Sequence, residues 1–369
     1  IASCWERLEA RTDDGYRVFV HSHSCSWGLP ELNEYGKWLL SQGHALEDAL
    51  QAKVVDGKTV YTGHRPDCPV ELHHAVWCAD RAIDFLREER EGPWLMSLNW
   101  FDPHPPFDAP LAYAQRYDPD ALPAPVHGPR DAENQRLLEE SFFQRPYAAP
   151  GPQQQRNKAA YYGSIELIDE QVGRLLAVLE EMGQREDTVV IFMSDHGEAL
   201  GDHGLNAKGC RFYEGNVHVP LILSWPGVFR QDVRYEGLTE LTDLAPTLAA
   251  LAGIRLPWQH GYDLTPILTG QSRATSHRPY VRCEYYDALH MNAPFRPEEG
   301  DPTFATMHRD SRYKLIVHHG RPYGELYDLQ EDPDELVNLW DDGLHAQVQA
   351  ALVKQAFDAT VRAGDVMIV

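Results

Sequence analysis

The apolar run Thr188–Met193 constrains the fold of this chain more than any other feature of the sequence. A continuous run of β-branched and apolar residues, without polar alternation, is typical of a central strand in a parallel sheet covered on both faces. The run ends abruptly in the polar sequence Ser194-Asp195-His196-Gly197. It therefore predicts a helix-covered sheet with a polar loop at the carboxyl end of a buried strand.

The rest of the first 270 residues shows the same alternation of strand and helix patterns. Apolar runs at 94–100 and 219–225 predict further buried strands, and Arg17–Val20 is a weaker candidate. Helical spacing of apolar residues predicts helices at 32–42, 76–88, 157–182 and 241–251. This alternation is typical of an α/β sheet domain, whose ligands gather at the carboxyl ends of the strands.

The pattern changes beyond about residue 270. Short strand-like segments at 280–284, 313–317 and 326–327 precede an amphipathic helical pattern at 344–361. Together they predict a small antiparallel sheet with one helix. We therefore expect an α/β domain over residues 1–270 and a C-terminal subdomain over residues 271–369. The Pro-rich and Gln-rich stretch 118–156 predicts a long surface excursion within the first domain.

The composition and net charge limit the kinds of ligand that this chain can bind. The chain has 33 basic and 56 acidic side chains, a formal net charge of −23, which argues against nucleic-acid binding. The same charge repels anions at long range, so an anion site needs a local group of Lys, Arg, His or metal. The six Cys are scattered without a CxxC pair, which favours free thiols. No stretch has the pattern of a membrane span.

The strongest candidate for chemistry is the loop that begins at Asp195. A carboxylate and an imidazole side by side, Asp195 and His196, can both ligate a divalent metal ion, with Mn, Ca, Mg and Zn all compatible. Lys208, further along the same Gly-rich loop, supplies a positive charge for an anionic oxygen. The alternative is a polar surface loop whose charges pair with one another. For Asp202 and His203, a structural role that bonds the loop to itself is favoured.

A second candidate is Asp102-Pro103-His104-Pro105-Pro106-Phe107. Prolines on both sides restrict the backbone around His104, so the imidazole can be aimed at one point without a helix. The alternative is a turn with an exposed His. For His73-His74 a structural role is favoured over a metal pair, because adjacent side chains on a helix diverge.

These segments resemble a known family. With Glu198 and the Asp202-His203-Gly204 segment, the Asp195 and His104 motifs resemble the sulfatases of the alkaline-phosphatase superfamily. The similarity is to the bacterial arylsulfatase, choline-sulfatase and phosphonate monoester hydrolase branch. Further motifs that carry the resemblance are Tyr213-Glu214-Gly215, Val219-Pro220-Leu221-Ile222, Trp225-Pro226-Gly227, Arg312-Tyr313-Lys314-Leu315 and Glu325-Leu326-Tyr327-Asp328-Leu329. The similarity runs from roughly Phe85 to the C-terminus.

The resemblance implies a fold and a set of roles. The fold would be an α/β alkaline-phosphatase-like sandwich, with a large mixed central sheet between helices and a small C-terminal antiparallel subdomain. Asp195 and His196 would bind one divalent metal ion, Ca²⁺ or Mn²⁺, with Mg²⁺ or Zn²⁺ as alternatives. Lys208 and His104 would hold the oxygens of the sulfate group, and His104 could protonate the leaving oxygen.

The chain departs from the family pattern at its beginning. The family places an Asp-Asp metal pair on its first strand, followed by a Cys or Ser that is oxidised to the nucleophile formylglycine. Asp13-Asp14 does not follow an apolar strand, and no Cys begins a Cys-x-Pro-x-Arg motif. We therefore expect the formylglycine in a segment that precedes Ile1, and we expect the chain alone to be inactive.

The function implied for the complete protein is hydrolysis of a sulfate monoester, on a small molecule or a glycan. Phosphonate monoester or phosphodiester hydrolysis is the first alternative, since these esters share a tetrahedral centre. A non-catalytic protein that binds sulfate or sulfated glycans is the second. The alcohol half of the substrate, the compartment and the oligomeric state, including a homo-oligomer, stay open.

The expected missing segment is directly testable by sequencing the coding DNA upstream of Ile1. We expect an apolar strand ending in Asp-Asp, followed by Cys-x-Pro-x-Arg or Ser-x-Pro-x-Arg. A start codon immediately before Ile1 would contradict this expectation and favour the binding protein.

Overall fold

The computed structural model describes residues 16–22, 33–136, 151–208, 211–286 and 304–364. The chain divides into two compact units. The first unit comprises residues 1–124 and 151–188, and the second comprises residues 125–150 and 189–369. This division into units does not test the domain boundary expected near residue 270, which stays a prediction. Asp13-Asp14 lies outside the described residues.

Helices and strands alternate along the described chain. The helices are α1 Glu34–Ser41, α2 Leu46–Ala49, α3 His74–Arg87, α4 Leu111–Ala114, α5 Asp131–Arg136, α6 Pro152–Glu181, α7 Glu214–Val217, α8 Leu244–Leu251, α9 Thr265–Leu268 and α10 Ala346–Gly364. The strands are β1 Leu50–Val55, β2 Lys58–His64, β3 Val190–Met193, β4 Leu221–Ser224, β5 Val281–Tyr286, β6 Phe304–Arg309, β7 Tyr313–His318 and β8 Gly324–Asp328. None of the described helices has the length and apolar composition that crossing a bilayer requires.

The first unit is built around the long helix α6. This helix packs against α3 and α4, and a Cβ atom at Gly163 would lie only 2.8 Å from the backbone nitrogen of Ala114. Glycine at this position therefore permits the close approach of α6 to α4. The helix begins with Pro152 at its first position and ends before Gly183, whose φ of 65° suits a C-terminal cap. The antiparallel hairpin β1–β2 completes the described part of this unit.

The second unit contains a four-stranded antiparallel sheet in the order β5-β6-β7-β8. Helix α10 packs on it through Leu352 and Ala356, which contact the buried residues Leu315 and Leu326. The strands predicted at 280–284, 313–317 and 326–327 and the C-terminal helix are confirmed. Strand β6 was not predicted, because its sequence Phe-Ala-Thr-Met-His-Arg mixes polar and apolar residues although its four central positions are buried.

The structure corrects the prediction of a parallel central strand at Thr188–Met193. This run forms β3, but β3 pairs antiparallel with β4, with Val190 opposite Ser224 and Met193 opposite Leu221. The segment 94–100 has no strand assignment in the structure, and neither does Arg17–Val20. An apolar run indicates burial of side chains, but it does not indicate whether a hydrogen-bonded neighbouring strand is present or in which direction that strand runs.

The surface excursion expected at 118–156 is corrected at one short segment, while residues 118–124 are exposed or half-buried as expected. Its residues 131–136 form the short helix α5, and Asp131 and Gln135 of this helix are almost completely buried. Gln135 donates a hydrogen bond to the Tyr213 hydroxyl at 2.9 Å and accepts one from Arg211 at 2.8 Å. This polar sequence is therefore part of the interior of the second unit, because its buried polar groups have partners.

A buried lysine, Lys314 on β7, links three parts of the second unit. Its fully buried ammonium lies 2.7 Å from carboxylate oxygens of both Glu214 and Glu335, and it donates to the backbone oxygen of Phe212 at 2.8 Å. Burial would raise the pKa of Glu214, but His218, Lys314 and Arg309 hold it well below its usual range. Burial raises the pKa of Glu335 even with Lys314 beside it.

We expect Lys314→Met to lower the free energy of unfolding by about 3–5 kcal/mol, because two carboxylates lose their buried counter-charge. Urea unfolding followed by circular dichroism measures the change. The matched control is Lys354→Met, which removes an exposed ion pair with Asp358 on α10. Equal midpoints for the two variants would contradict a structural role for Lys314.

Candidate functional site

The loop 194–208 leaves the carboxyl end of β3, where the sequence predicted the site. It is held close to the segment that follows it, since Gly197 donates from its backbone nitrogen to the Asn216 oxygen at 2.8 Å. A Cβ atom at position 197 would lie 2.0 Å from the Gly215 oxygen. Only glycine permits this approach, which explains why Gly follows the Asp-His pair.

The backbone of this loop is strained at three positions. Leu200, His203 and Ala207 have φ values of 48°, 54° and 60°, in the left-handed region that non-glycine residues rarely occupy. Each such residue costs roughly 1–3 kcal/mol and persists only where neighbouring structure enforces it. Strain of this kind is concentrated at functional sites, so it adds weight to the loop as a candidate site.

Asp202 and His203 enforce the strained conformation. Asp202 accepts a hydrogen bond from the Val126 backbone at 2.8 Å, and Nδ1 of His203 lies 3.3 Å from a carboxylate oxygen of Asp131. The His203 ring stacks on Tyr213 with 3.7 Å between centroids. Both residues therefore have structural contacts, as expected. Their side chains bind the loop to residues 126–131, and the backbone of Asp202 also bonds the loop to itself at Ala199 and Leu205.

Asp195 and His196 have the geometry of two neighbouring metal ligands. Nδ1 of His196 lies 2.9 Å from the Gly197 carbonyl oxygen, to which it can donate, so Nε2 carries the lone pair. Nε2 lies 3.6 Å from Oδ2 of Asp195, whose side chain is 85% exposed. A carbonyl that fixes the imidazole proton is the usual support of a metal-binding His. The pair therefore fits a divalent ion as two of its ligands.

Lys208 lies near the same pair. Burial lowers its pKa, whereas the negative charges of Glu198 and Asp195 act to raise it. Three of the four residues predicted from the sequence, Asp195, His196 and Lys208, thus lie on one loop, where the charges of Lys208 and Asp195 interact. An ammonium group with a reduced hydration shell interacts more strongly with an anionic ligand than an exposed one does.

Glu198 belongs to the motif that carries the family resemblance, but no role was predicted for it from the sequence. Its side chain is buried, and burial raises its pKa, although the Ala207 backbone and the charges of Lys208 and His196 oppose the shift. Its carboxylate interacts with the charges of both Lys208 and His196, one of the two candidate metal ligands. The available signal was its position in the motif Ser-Asp-His-Gly-Glu.

His104, the fourth predicted residue, belongs to the first unit, whereas Asp195, His196 and Lys208 belong to the second. Its backbone nitrogen donates to the Phe101 oxygen at 3.0 Å, and its Nδ1 lies 2.7 Å from the Pro105 oxygen. The ring is partly buried and contacts the Phe101 ring at 4.5 Å between centroids. If Nδ1 donates to Pro105, the lone pair of the neutral imidazole is on Nε2. The functional role assigned to His104 stays a prediction.

A second group in the first unit, His64, His73 and Asp108, has ligand atoms within 4.8 Å of one another. Its hydrogen bonds argue against a metal. Nε2 of His64 accepts from the His74 backbone at 3.1 Å, and Nδ1 of His73 accepts from the Ala75 backbone at 3.2 Å. Each neutral imidazole therefore carries its proton on the other nitrogen. His73 is the N-cap of α3, which agrees with the structural role expected for it.

Comparisons with known proteins identify the family. The sulfatase family profile matches residues 52–254, and the profile for the C-terminal part of N-sulphoglucosamine sulphohydrolase matches residues 201–362. The chain belongs to the sulfatase family. An arylsulfatase of Clostridium perfringens is 32% identical over 347 residues, which cover 88% of this chain and 66% of that protein. A choline-sulfatase of Rhizobium meliloti is 30% identical over 300 residues, covering 74% of this chain and 54% of that protein.

This member of the sulfatase family also resembles solved structures. A phosphonate monoester hydrolase from Silicibacter pomeroyi superposes with a TM-score of 0.75 at 26% identity, covering 90% of this chain and 69% of that one. The alkaline-phosphatase-like α/β fold with a C-terminal antiparallel sheet is thereby confirmed. The sulfatase chain spans 54% to 66% of the length of the two curated relatives.

The candidate metal ligands Asp195 and His196 can be tested by measuring metal binding to this chain. We expect His196→Ala to weaken Mn²⁺ binding at least about tenfold, because it removes one of two adjacent ligands and their fixed geometry. Water proton relaxation during a Mn²⁺ titration measures the affinity. His44→Ala, at a half-exposed His in the first unit, is the control. Equal affinities of the two variants would refute His196 as a ligand.

Proposed function

We propose that this chain is part of a sulfuric ester hydrolase that cleaves a sulfate monoester with a divalent metal ion and a formylglycine nucleophile. The observation that carries the proposal is the grouping of Asp195, His196 and Lys208 on one strained loop at the end of β3. The named sulfatases among the relatives support the sulfate ester as substrate.

The residues of this chain would act as follows. Asp195 and His196 hold the metal ion, which when bound polarises the ester and lowers the pKa of a nearby nucleophile. Lys208 holds a sulfate oxygen and stabilises the negative charge that grows on it in the transition state. For His104, in the first unit, the prediction stays that it binds a sulfate oxygen and donates a proton to the leaving alcohol. Glu198 keeps the Lys208 ammonium charged against the effect of burial.

Phosphonate monoester hydrolysis is the second candidate. It is favoured by the similarity to the Silicibacter pomeroyi phosphonate monoester hydrolase, which covers most of this chain. Both reactions place negative charge on the equatorial oxygens of a tetrahedral centre, so the same lysine and metal pair would serve either one. The two candidates differ in which ester is turned over with the higher kcat/KM.

The proposal is tested with the full-length protein on 4-nitrophenyl sulfate and 4-nitrophenyl phenylphosphonate. We expect the higher kcat/KM on the sulfate, and we expect Lys208→Ala to lower kcat by about a hundredfold or more, since one charge-stabilising group is lost. Lys354→Ala is the matched control and should retain the rate.

A higher kcat/KM on the phosphonate would favour the second candidate. A near-normal kcat in the Lys208→Ala variant would rule out the role given to this lysine. Tight binding of sulfate without turnover in the full-length protein would replace the enzyme with a binding protein.

A further inference from the structure

The loop that carries His104 is joined at its end to the hairpin β1–β2. Asp108, which follows the loop 101–107, accepts hydrogen bonds on Oδ2 from the backbone nitrogen of His64, while Nδ1 of His64 lies 3.2 Å from the same oxygen. The His64 side chain is 1% exposed and that of Asp108 is 15% exposed. Two donors of one residue thus converge on one carboxylate oxygen in a nearly dry environment, where such contacts are strong.

The residue before His64 fixes how closely the loop approaches the hairpin. Gly63 has a φ of 142°, and a Cβ atom there would lie 2.6 Å from Oδ2 of Asp108 and 2.7 Å from Cγ of Pro106. Any side chain at position 63 would therefore push Pro106 and Asp108 away. Pro106 is two residues from His104, within the proline-restricted part of the loop, so a displacement there reaches the imidazole.

His64 is itself fixed on its other side. Its Nε2 accepts from the backbone nitrogen of His74, the first residue of α3, at 3.1 Å, and its ring stacks on His73 at 3.9 Å. The imidazole therefore joins the end of β2, the start of α3 and the end of the His104 loop. The two ring nitrogens make different contacts: Nδ1 contacts Asp108 of the loop, and Nε2 accepts from the first residue of the helix.

The opposite end of the loop has a second carboxyl group, that of the half-buried Asp102. Burial raises the pKa of Asp102 to about 7, the charge of Asp108 adds to this effect, and His64 opposes it. The two acids that flank His104 therefore repel one another when both are ionised. The Nδ1 proton of His64 stabilises the charge on Asp108 and keeps this end of the loop in contact with the hairpin.

We propose that Gly63 and His64 are positioning residues for His104: the closely packed glycine and the His64–Asp108 contact set where its imidazole lies. The inference rests on the proposed function for the role of His104 in the reaction, but the positioning itself is a property of the first unit. Neither residue is proposed to touch the substrate.

The two nitrogens of His64 permit a matched pair of variants. In His64→Asn the side-chain amide can replace Nδ1 and keep the contact with Asp108, while the contact with α3 is lost. In His64→Gln the amide reaches the position of Nε2 and keeps the contact with α3. The side-chain contact with Asp108 is lost, and only the backbone N–H of residue 64 still donates to that carboxylate. Gly63→Ala tests the close approach, and Gly57→Ala, with a φ of 74° and open space around it, is its control.

Two measurements on the full-length protein separate positioning from general stability. The first is the ring ¹H–¹⁵N spectrum of ¹⁵N-histidine-labelled protein, with the His104 signals assigned by their loss in His104→Gln. We expect these signals to shift in His64→Gln and Gly63→Ala, and to stay in place in His64→Asn and Gly57→Ala. The second is kcat/KM on the better ester, which we expect to fall about 10- to 100-fold in the first two variants only.

The outcomes are distinct. Unshifted His104 signals in both His64→Gln and Gly63→Ala would overturn the proposal, as would equal shifts in His64→Gln and His64→Asn. If Gly63→Ala fails to fold, the comparison of the two His64 variants decides. If the wild-type protein hydrolyses neither ester, the proposed function fails, and the spectra still decide whether Gly63 and His64 position His104.

Discussion

The candidate metal pair depends on the buried ammonium group of Lys314, although it lies more than a hundred residues away along the chain. Lys314 binds the Phe212 carbonyl and the Glu214 carboxylate, and so fixes the segment that begins at Phe212. That segment provides the Asn216 carbonyl to which Gly197 donates. A charge on the C-terminal sheet thus supports, through these contacts, the backbone next to Asp195 and His196.

Much of the fold could be predicted from periodicity. The long helix α6, helix α3 and the C-terminal helix each have apolar residues at helical spacing on a face that is buried, so pattern and structure agree. Strand pairing could not be predicted in the same way. Val190–Met193 has the composition of a strand covered on both faces, yet its described neighbour runs antiparallel. The hairpin β1–β2 was not predicted, although Leu50–Val54 alternates apolar and polar residues. Most of β1 is exposed, so this short pattern marks no buried face.

Only part of the candidate site could be predicted, because a sequence motif shows which residues are neighbours along the chain but not which distant residues contact them. Asp195, His196 and Lys208 belong to one short motif, and a single loop brings them together. The partners of Asp202 and His203 could not be predicted, because Val126 and Asp131 are more than 70 residues away in sequence. The same holds for the His64–Asp108 contact, which spans 44 residues and depends on a glycine whose tight contacts only the fold reveals.

The prolines around His104 have a thermodynamic consequence. Residues with restricted backbones have little conformational freedom in the unfolded chain, and the contact with His64 removes what is left when the protein folds. The entropy needed to order this loop is therefore lost during folding. Under the proposed function, even a small ester with few polar groups would meet an imidazole already in place, and its limited binding energy would remain available for the reaction itself.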